Sequence, residues 1–305
     1  MKRPGPLLTC AILLASLFGC ASSLPREEAA VVYYNLGNAY FELGELKKAA
    51  EAYLEALRLD KSLAGATYNL AYVFIEQEDT DRGREILFDL LEGDPDNLIV
   101  LNTIAYSFVQ DGDPREALDY YEKVLELNPF NAEALYNSGV ILWGFEEIPE
   151  ARERFLSLYR EEPQRYEAVY NLGAMELEAG NRMRGIDYLE EYLENVPDDV
   201  DALELLGGAY TDEEFYSQAL TAYDRIIELD PELPEIHFER ARILLTAVGD
   251  YPAGRTALDA AVRGGFEDRE ALRLLAADPG LVRPGEVRDY LLRNDLISEE
   301  DLPPE

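Results

Sequence analysis

Small and bulky apolar residues recur along this chain with a period of 34 residues. A small side chain occupies the eighth and twentieth positions of each period, and a bulky apolar side chain occupies the twenty-fourth. The eighth-position residues are Gly37, Ala71, Ala105, Gly139, Gly173, Gly207 and Ala241, and the twenty-fourth are Tyr53, Leu87, Tyr121, Phe155, Leu189 and Tyr223. Within one period, positions 7, 8 and 11 share a face of the first helix, and positions 20, 24 and 27 share a face of the second. The pattern therefore predicts two helices per period, whose backbones approach closely where small residues meet the bulky one.

Prolines mark the end of most periods. Five of them lie 34 residues apart: Pro95, Pro129, Pro163, Pro197 and Pro231. Proline lacks the N–H group that a helix interior needs, and it disfavours helical geometry in the preceding residue. Turn residues such as Gly44 and Gly112 separate the two helices within a period. A fixed period of this length indicates a repeat architecture.

The repeating unit resembles the tetratricopeptide repeat (TPR). The first unit reads Tyr33-Tyr34-Asn35-Leu36-Gly37-Asn38-Ala39-Tyr40 and continues with Ala49, Tyr53 and Ala56. The resemblance implies an all-α, right-handed superhelical solenoid of paired antiparallel helices. Seven repeats are expected, the last of them weak, at residues 30–63, 64–97, 98–131, 132–165, 166–199, 200–233 and 234–268.

Some positions depart from the family pattern. Lys61 stands where the first proline is expected, and Ser138 and Glu176 occupy positions that are usually apolar. The seventh repeat needs one extra residue before Gly249. The pattern therefore predicts the fold in all seven repeats but specifies the packing of the fourth, fifth and seventh less closely.

The end of the chain predicts a cap. Residues 269–297 contain two short helical patterns, and a solenoid needs such a segment to cover the apolar face of its last repeat. Residues 298–305 form an acidic, proline-bearing tail that is expected to be disordered.

The pattern of the first twenty residues predicts that the protein is exported and lipidated. A basic start and a 12-residue apolar run at residues 7–18 are typical of a signal peptide, here residues 1–19, and are too short to span a bilayer. The run ends in Leu17-Phe18-Gly19-Cys20, which resembles the lipobox of bacterial lipoproteins, although Phe18 is bulkier than the usual residue. The resemblance implies acylation of Cys20 and a short tether at residues 20–29; an ordinary cleaved signal is the alternative. Ala21 is not the aspartate associated with inner-membrane retention, which favours the outer membrane of a two-membrane bacterium.

Composition restricts the chemistry. The 305 residues carry a formal charge of −35, which repels nucleic acid and serves either solubility or attraction of basic partners. The cysteines are Cys10 and Cys20, both in the N-terminal segment, and the one histidine, His237, falls at a packing position. The repeats therefore have no cysteine nucleophile, disulfide or His/Cys zinc site. No catalytic, metal or cofactor motif occurs, so we expect a non-enzymatic protein with no cofactor.

In TPR arrays, by the resemblance, positions 2, 5, 6, 9, 12 and 13 of each repeat line the concave face. Here those positions are rich in aromatic rings and amides, which suit an extended peptide, although the same residues can serve helix packing alone. The predicted partner-binding residues are Tyr34, Asn35, Asn38, Phe41, Tyr68, Asn69, Tyr72, Tyr106, Tyr136, Asn137, Trp143, Tyr170 and Asn171. Trp143, the only tryptophan, is the first candidate for a hot spot.

The carboxylate-clamp subclass of TPR proteins is disfavoured. Asn38 and Asn69 match its asparagines, but Tyr34, Ile99 and Thr103 stand where the clamp has basic residues. A free carboxylate would meet no cation there. Neutral or basic ligands fit better, because carboxylates surround the same face: Glu42, Glu76, Glu133, Glu167, Glu178 and Asp201.

Two functions are compatible with these patterns. The first is a lipid-anchored TPR scaffold of the bacterial cell envelope, facing the periplasm, that holds a neutral or basic envelope protein or peptide. The second is a small-ligand or cation-binding accessory lipoprotein of a transport system. An open groove favours the first, and a pocket closed by the final helices favours the second.

Overall fold

The computed structural model describes residues 25–302. The predicted signal peptide, the lipidation site Cys20 and the first part of the tether lie outside the described residues, as do the last three residues of the tail. Within the described range the regular secondary structure is helical, with sixteen α-helices and no strand. No helix in this range has the length and apolar character needed to cross a bilayer.

The predicted helix pairs are confirmed. The first helices of the seven repeats are α1 (Arg26–Glu42), α3 (Ala64–Glu76), α5 (Leu98–Gln110), α7 (Ala132–Gly144), α9 (Tyr166–Glu178), α11 (Val200–Asp212) and α13 (Pro234–Ile243). The second helices are α2 (Leu46–Leu59), α4 (Thr80–Gly93), α6 (Pro114–Leu127), α8 (Ile148–Glu161), α10 (Arg182–Asn195), α12 (Tyr216–Leu229) and α14 (Tyr251–Arg263). The repeated prolines lie in the turns that follow the second helices.

The chain divides into an N-terminal unit, residues 1–157, and a C-terminal unit, residues 158–305. In the N-terminal unit, Tyr53 of the first repeat packs in one cluster with Leu70 of the second. In the C-terminal unit, Leu189 of the fifth repeat shares a cluster with Leu206 of the sixth. Tyr53 and Leu189 therefore each lie in a core that their repeat shares with the next, as expected when repeats stack on their neighbours.

The small eighth residue admits the bulky ring. A Cβ atom on Gly37 would lie 2.4 Å from Tyr53 Cε1, and one on Gly207 would lie 2.7 Å from Tyr223 Cε1. Both distances are below van der Waals contact. The predicted close approach of the paired helices is therefore confirmed.

A left-handed residue joins the two helices in each of the first six repeats. In the odd repeats it is glycine, at Gly44, Gly112 and Gly180, and in the even repeats it is glutamate, at Glu78, Glu146 and Glu214, with φ between 61 and 78°. The left-handed conformation costs little for glycine but more for residues with a Cβ atom. The sequence predicted turns at the glycines. The structure shows that glutamate adopts the same left-handed conformation at the equivalent position of the even repeats.

The extra residue of the seventh repeat is absorbed by a π-helical turn, Leu244–Val248, between α13 and α14. Insertion of one residue into a helix commonly produces such a turn. The turn ends at Gly249 in a left-handed conformation. The Val282 N–H donates to the Leu245 carbonyl at 2.8 Å. The cap segment thus provides a hydrogen bond to the irregular turn.

Helices α15 (Arg269–Ala277) and α16 (Pro284–Arg293) form the cap. Leu272, Val287 and Leu291 are fully buried in one cluster with Phe238 and Leu258 of the last repeat. The cap therefore covers the apolar face of that repeat.

The expected disorder of the acidic tail is wrong for residues 298–302. A 3-10 turn, Glu299–Asp301, is closed by a capping box in which the Asp301 carboxylate accepts from the Ser298 N–H and hydroxyl. Arg269 pairs with the same carboxylate at 2.9 Å. Local capping and one ion pair therefore order a segment whose composition predicted disorder.

Candidate functional site

In the N-terminal unit, the first helices of the first two repeats form a pocket of about 250 Å³, here called the amide pocket. Its lining residues are Asn38, Phe41, Glu42, Tyr53, Asn69 and Tyr72. The Tyr53 hydroxyl donates to Asn38 Oδ1 at 2.7 Å, and Asn69 Nδ2 donates to the same oxygen at 2.9 Å. The two predicted asparagines therefore also bind the first repeat to the second.

A second pocket in this unit, the tyrosine pocket, has a volume of about 450 Å³ and adjoins the amide pocket at Tyr72. It is lined by Tyr68, Tyr72, Ile99, Thr103, Tyr106, Glu133 and Asn137. These residues come from positions 2, 5, 6 and 9 of α3, α5 and α7. The expected lining positions of three consecutive repeats therefore meet in one cavity.

The tyrosine rings are fixed by contacts of their own. The Tyr72 and Tyr106 rings stack with centroids 6.2 Å apart, and the Tyr106 hydroxyl donates to Glu76 at 3.2 Å. The Tyr68 hydroxyl lies 2.8 Å from Thr103 Oγ1. Burial, followed by the Glu76 carboxylate, raises the pKa of Tyr72 to about 12. The Tyr72 phenol therefore stays neutral and can donate a hydrogen bond at physiological pH.

The C-terminal unit contains a larger pocket of about 620 Å³ along α9, α11 and α13. Tyr170 of the predicted set lines it, together with five acids: Asp201, Glu204, Asp212, Glu235 and Glu239. Two arginines also line it, and each is paired: Arg182 with Asp212 at 3.1 Å, and Arg242 with Glu239 at 2.6 Å. This pocket therefore presents both signs of charge.

A pocket of about 270 Å³ shares Thr211, Asp212 and Arg242 with this one. Asp278, in the turn after α15, lines its wall. The cap therefore contributes to the cavity surface of the C-terminal unit. Across residues 25–302, no group of three or more His, Cys, Asp or Glu side chains is placed to hold a metal ion.

Other predicted residues of the N-terminal unit pack between helices. The rings of Tyr136 and Trp143 both meet Phe155 edge to face, with centroids 6.1 and 6.5 Å away. The Tyr34 ring lies 6.1 Å from that of Tyr53. Asn35 is exposed on α1. None of these residues lines the amide or tyrosine pocket, so a binding role for them stays a prediction.

Asn171 is less accessible than the other predicted asparagines. Its side chain is only 8% exposed, and it lies on a stretch of α9 where every residue from 171 to 176 is buried. A binding role for its amide stays a prediction. The irregular polar residues of the fourth and fifth repeats are satisfied internally, since the Ser138 hydroxyl donates to the Leu135 carbonyl and Asn181 donates to Glu176.

Several pocket residues were absent from the predicted set. Ile99, Thr103, Glu133, Glu204 and Glu235 occupy lining positions 2, 5 or 6 of their repeats, so the repeat register could have included them. Arg182 begins the second helix of its repeat and has no such signal. His237 lies outside the pockets described here, with Nε2 3.0 Å from the Pro231 carbonyl oxygen.

Comparisons with known proteins identify the family. Tetratricopeptide repeat models match residues 30–63, 102–166, 170–234 and 209–265. The chain belongs to the tetratricopeptide repeat family. A comparison with curated proteins found no match.

Solved structures agree on the fold. PilW, a widely conserved type IV pilus biogenesis factor, has a TM-score of 0.58 and 18% identity over 68% of this chain and 96% of its own. A tetratricopeptide repeat protein from Parabacteroides merdae has a TM-score of 0.55 and 18% identity over 81% of this chain and 97% of its own. A MamA RS-1 double mutant has a TM-score of 0.51 and 22% identity over 55% and 93%. At these identities the likeness concerns the fold alone.

Proposed function

We propose that this protein is a lipid-anchored, non-enzymatic TPR scaffold of the bacterial cell envelope that binds a protein or peptide partner through its concave face, which the first helices of the repeats line. The observation that carries the binding role is the tyrosine pocket, where aromatic rings and an amide from three repeats line one cavity. Such a surface offers apolar area with few rotatable bonds and groups that pair with a peptide backbone. TPR proteins in general serve as interaction scaffolds, which supports a non-enzymatic role.

Ile99 provides a direct test of this role. It lines the tyrosine pocket and is 64% exposed, so Ile99→Lys changes the pocket without disturbing the core. Wild type, Ile99→Lys and a control, Leu54→Lys on the second helix of the first repeat, would be used as baits in extracts of the source cell envelope. We expect Ile99→Lys to lose a partner that the other two retain, because it replaces apolar surface of the pocket with a charged, strongly hydrated group. Retention by all three baits would reject binding through this pocket.

The anchor and location rest on residues outside the described part of the chain. We propose acylation of Cys20 after cleavage, with periplasm-facing attachment and a preference for the outer membrane. Labelling with a radioactive fatty acid would compare wild type, Cys20→Ser and Cys10→Ser. Loss of label in Cys20→Ser alone is expected; equal label in all three would reject the anchor.

A further inference from the structure

The amide and tyrosine pockets of the N-terminal unit have a one-sided charge. Glu42 lines the amide pocket and Glu133 lines the tyrosine pocket, while no lysine or arginine lines either one. Glu76 lies at the edge, where it accepts the Tyr106 hydroxyl hydrogen bond. The C-terminal pocket differs because its two arginines neutralise part of its acidic lining. A cation entering the tyrosine pocket would therefore meet the Glu133 carboxylate in a lining that contains no lysine or arginine.

The aromatic walls favour the same kind of ligand. Tyr68, Tyr72 and Tyr106 are half-buried and line a single cavity, and the Phe41 ring meets that of Tyr72 at a centroid distance of 5.6 Å. The faces of aromatic rings attract cations, more strongly where water is partly excluded. Because burial keeps the Tyr72 phenol neutral, the ring retains the ordinary quadrupole of tyrosine.

A buried hydroxyl beside the pocket is unsatisfied. Tyr121 is completely buried, and its hydroxyl makes no hydrogen bond within the described residues. Burial, and then the Glu133 carboxylate, raises its pKa, while Asn137 lies near enough to lower it without reaching hydrogen-bonding geometry. Glu133 and Asn137 both line the pocket. Buried polar groups normally find a partner, so this hydroxyl is an unsatisfied polar group close to two residues that line the pocket.

We propose that the tyrosine pocket binds the guanidinium group of an arginine side chain carried by the partner. This inference rests on the proposed function and specifies the partner's chemistry. A guanidinium is planar, weakly hydrated and rich in donors, so it can lie against a tyrosine ring while donating to Glu133 and to the Asn137 amide oxygen. Its methylene stem has a matching apolar surface in the exposed side chain of Ile99. Lysine shares the charge but presents a compact, strongly hydrated ammonium, and it is expected to bind more weakly.

The test uses dye-labelled pentapeptides of sequence Gly-Ser-X-Ser-Gly, where X is arginine, citrulline, lysine or leucine, and measures their binding to the full chain by fluorescence anisotropy. Citrulline has nearly the shape of arginine but no charge. We expect the arginine peptide to bind about ten-fold more tightly than the citrulline peptide, the difference that cation–π and carboxylate contacts provide at a partly buried site. Equal binding of these two peptides would overturn the proposal.

Matched variants separate a built site from a general acidic field. Glu133→Gln and Glu51→Gln each remove one negative charge, but Glu51 lies on the second helix of the first repeat and lines neither pocket. We expect Glu133→Gln alone to abolish most of the preference for arginine. Tyr106→Phe keeps the ring and should keep the preference, whereas Tyr106→Leu should lose it. An equal effect of the two glutamate variants would contradict a specific site.

The proposed function can survive a failure of this inference. If Ile99→Lys loses the natural partner while arginine and citrulline peptides bind equally, the pocket binds a partner by other chemistry. If Ile99→Lys also retains the partner, both the pocket's role and the arginine assignment fall.

Discussion

Asn69 Nδ2 donates a 2.9 Å hydrogen bond to Asn38 Oδ1, and the Tyr53 hydroxyl donates a 2.7 Å hydrogen bond to the same oxygen. One amide oxygen therefore accepts from two side chains and connects the first repeat to the second. These asparagines were predicted to face a partner. They line a pocket, but they also stabilise the junction between repeats, so their substitution affects stability as well as binding.

Asn38→Ala should lower the free energy of unfolding by about 1–3 kcal/mol, because it leaves two donors without their acceptor. Asn35→Ala on the same helix is the control, since Asn35 is exposed and should change stability by no more than about 0.5 kcal/mol. Urea unfolding followed by circular dichroism measures both. Equal effects of the two substitutions would show that the network contributes nothing.

Gly207 and Gly208 are adjacent on α11 and predict opposite effects of the same substitution. A Cβ atom on Gly207 would lie 2.7 Å from the Tyr223 ring, whereas one on Gly208 would meet nothing within 4 Å. Gly207→Ala should destabilise by about 1–3 kcal/mol through overpacking. Gly208→Ala should stabilise by up to about 1 kcal/mol through helix propensity. Thermal and urea unfolding provide the comparison, and equal shifts would contradict the described contact.

The glutamates in left-handed turns predict a stabilising substitution. Glu78 has a φ of 64°, and Glu78→Gly should stabilise the protein by about 1 kcal/mol because glycine adopts this conformation without the Cβ penalty. Glu85→Gly, at an exposed position inside α4, should destabilise by about 1 kcal/mol instead. The two unfolding free energies should therefore change in opposite directions. A loss of stability in Glu78→Gly would contradict the strained turn.

The capping box of Asp301 predicts a pH dependence. Hydrogen bonds from the Ser298 N–H and hydroxyl, and then from Arg269, lower the pKa of Asp301 to about 2. Because the folded pKa lies below the ordinary value of 3.8, the contribution of this carboxylate is present above pH 3.8 and is lost as the pH falls through 2. Carbon-13 NMR titration of the carboxyl group measures this pKa.

Two arginine variants test the cause of that shift. Arg269→Gln should raise the pKa of Asp301, whereas Arg273→Gln should not, because Arg273 pairs with Glu270 on its own helix. A titration of Asp301 near 3.8 in the wild-type protein would show that residues 298–302 are not ordered as described.

The periodic positions predicted the fold because they carry its packing. Gly207 and Tyr223 lie where the eighth and twenty-fourth positions require a small residue against a large one, and their contact confirms the pattern. The turn at Glu146 could not be predicted in the same way, since glutamate has no preference for a positive φ. The π-helical turn was visible only as one surplus residue, without any indication of how the helix would absorb it.

The candidate site was only partly predictable, because the repeat register gives the position of a side chain but not its exposure. The repeat register identified lining positions, and Tyr72 and Tyr106 meet in one pocket as the register implies. It could not distinguish Asn137, which lines that pocket, from Asn171, which occupies the same position two helices later and is buried. That difference depends on the neighbouring side chains, which vary between repeats.

The central claim is that the first helices of the repeats in the N-terminal unit bind a partner. A photo-crosslinking amino acid, p-benzoyl-phenylalanine, placed at Ile99 or at Leu274 in living cells tests it most directly, because these side chains have similar exposure, 64% and 60%, but only Ile99 lines the tyrosine pocket. We expect irradiation to produce one discrete crosslinked product from position 99 and none from position 274. Equal products from both positions, or none from position 99, would contradict the account.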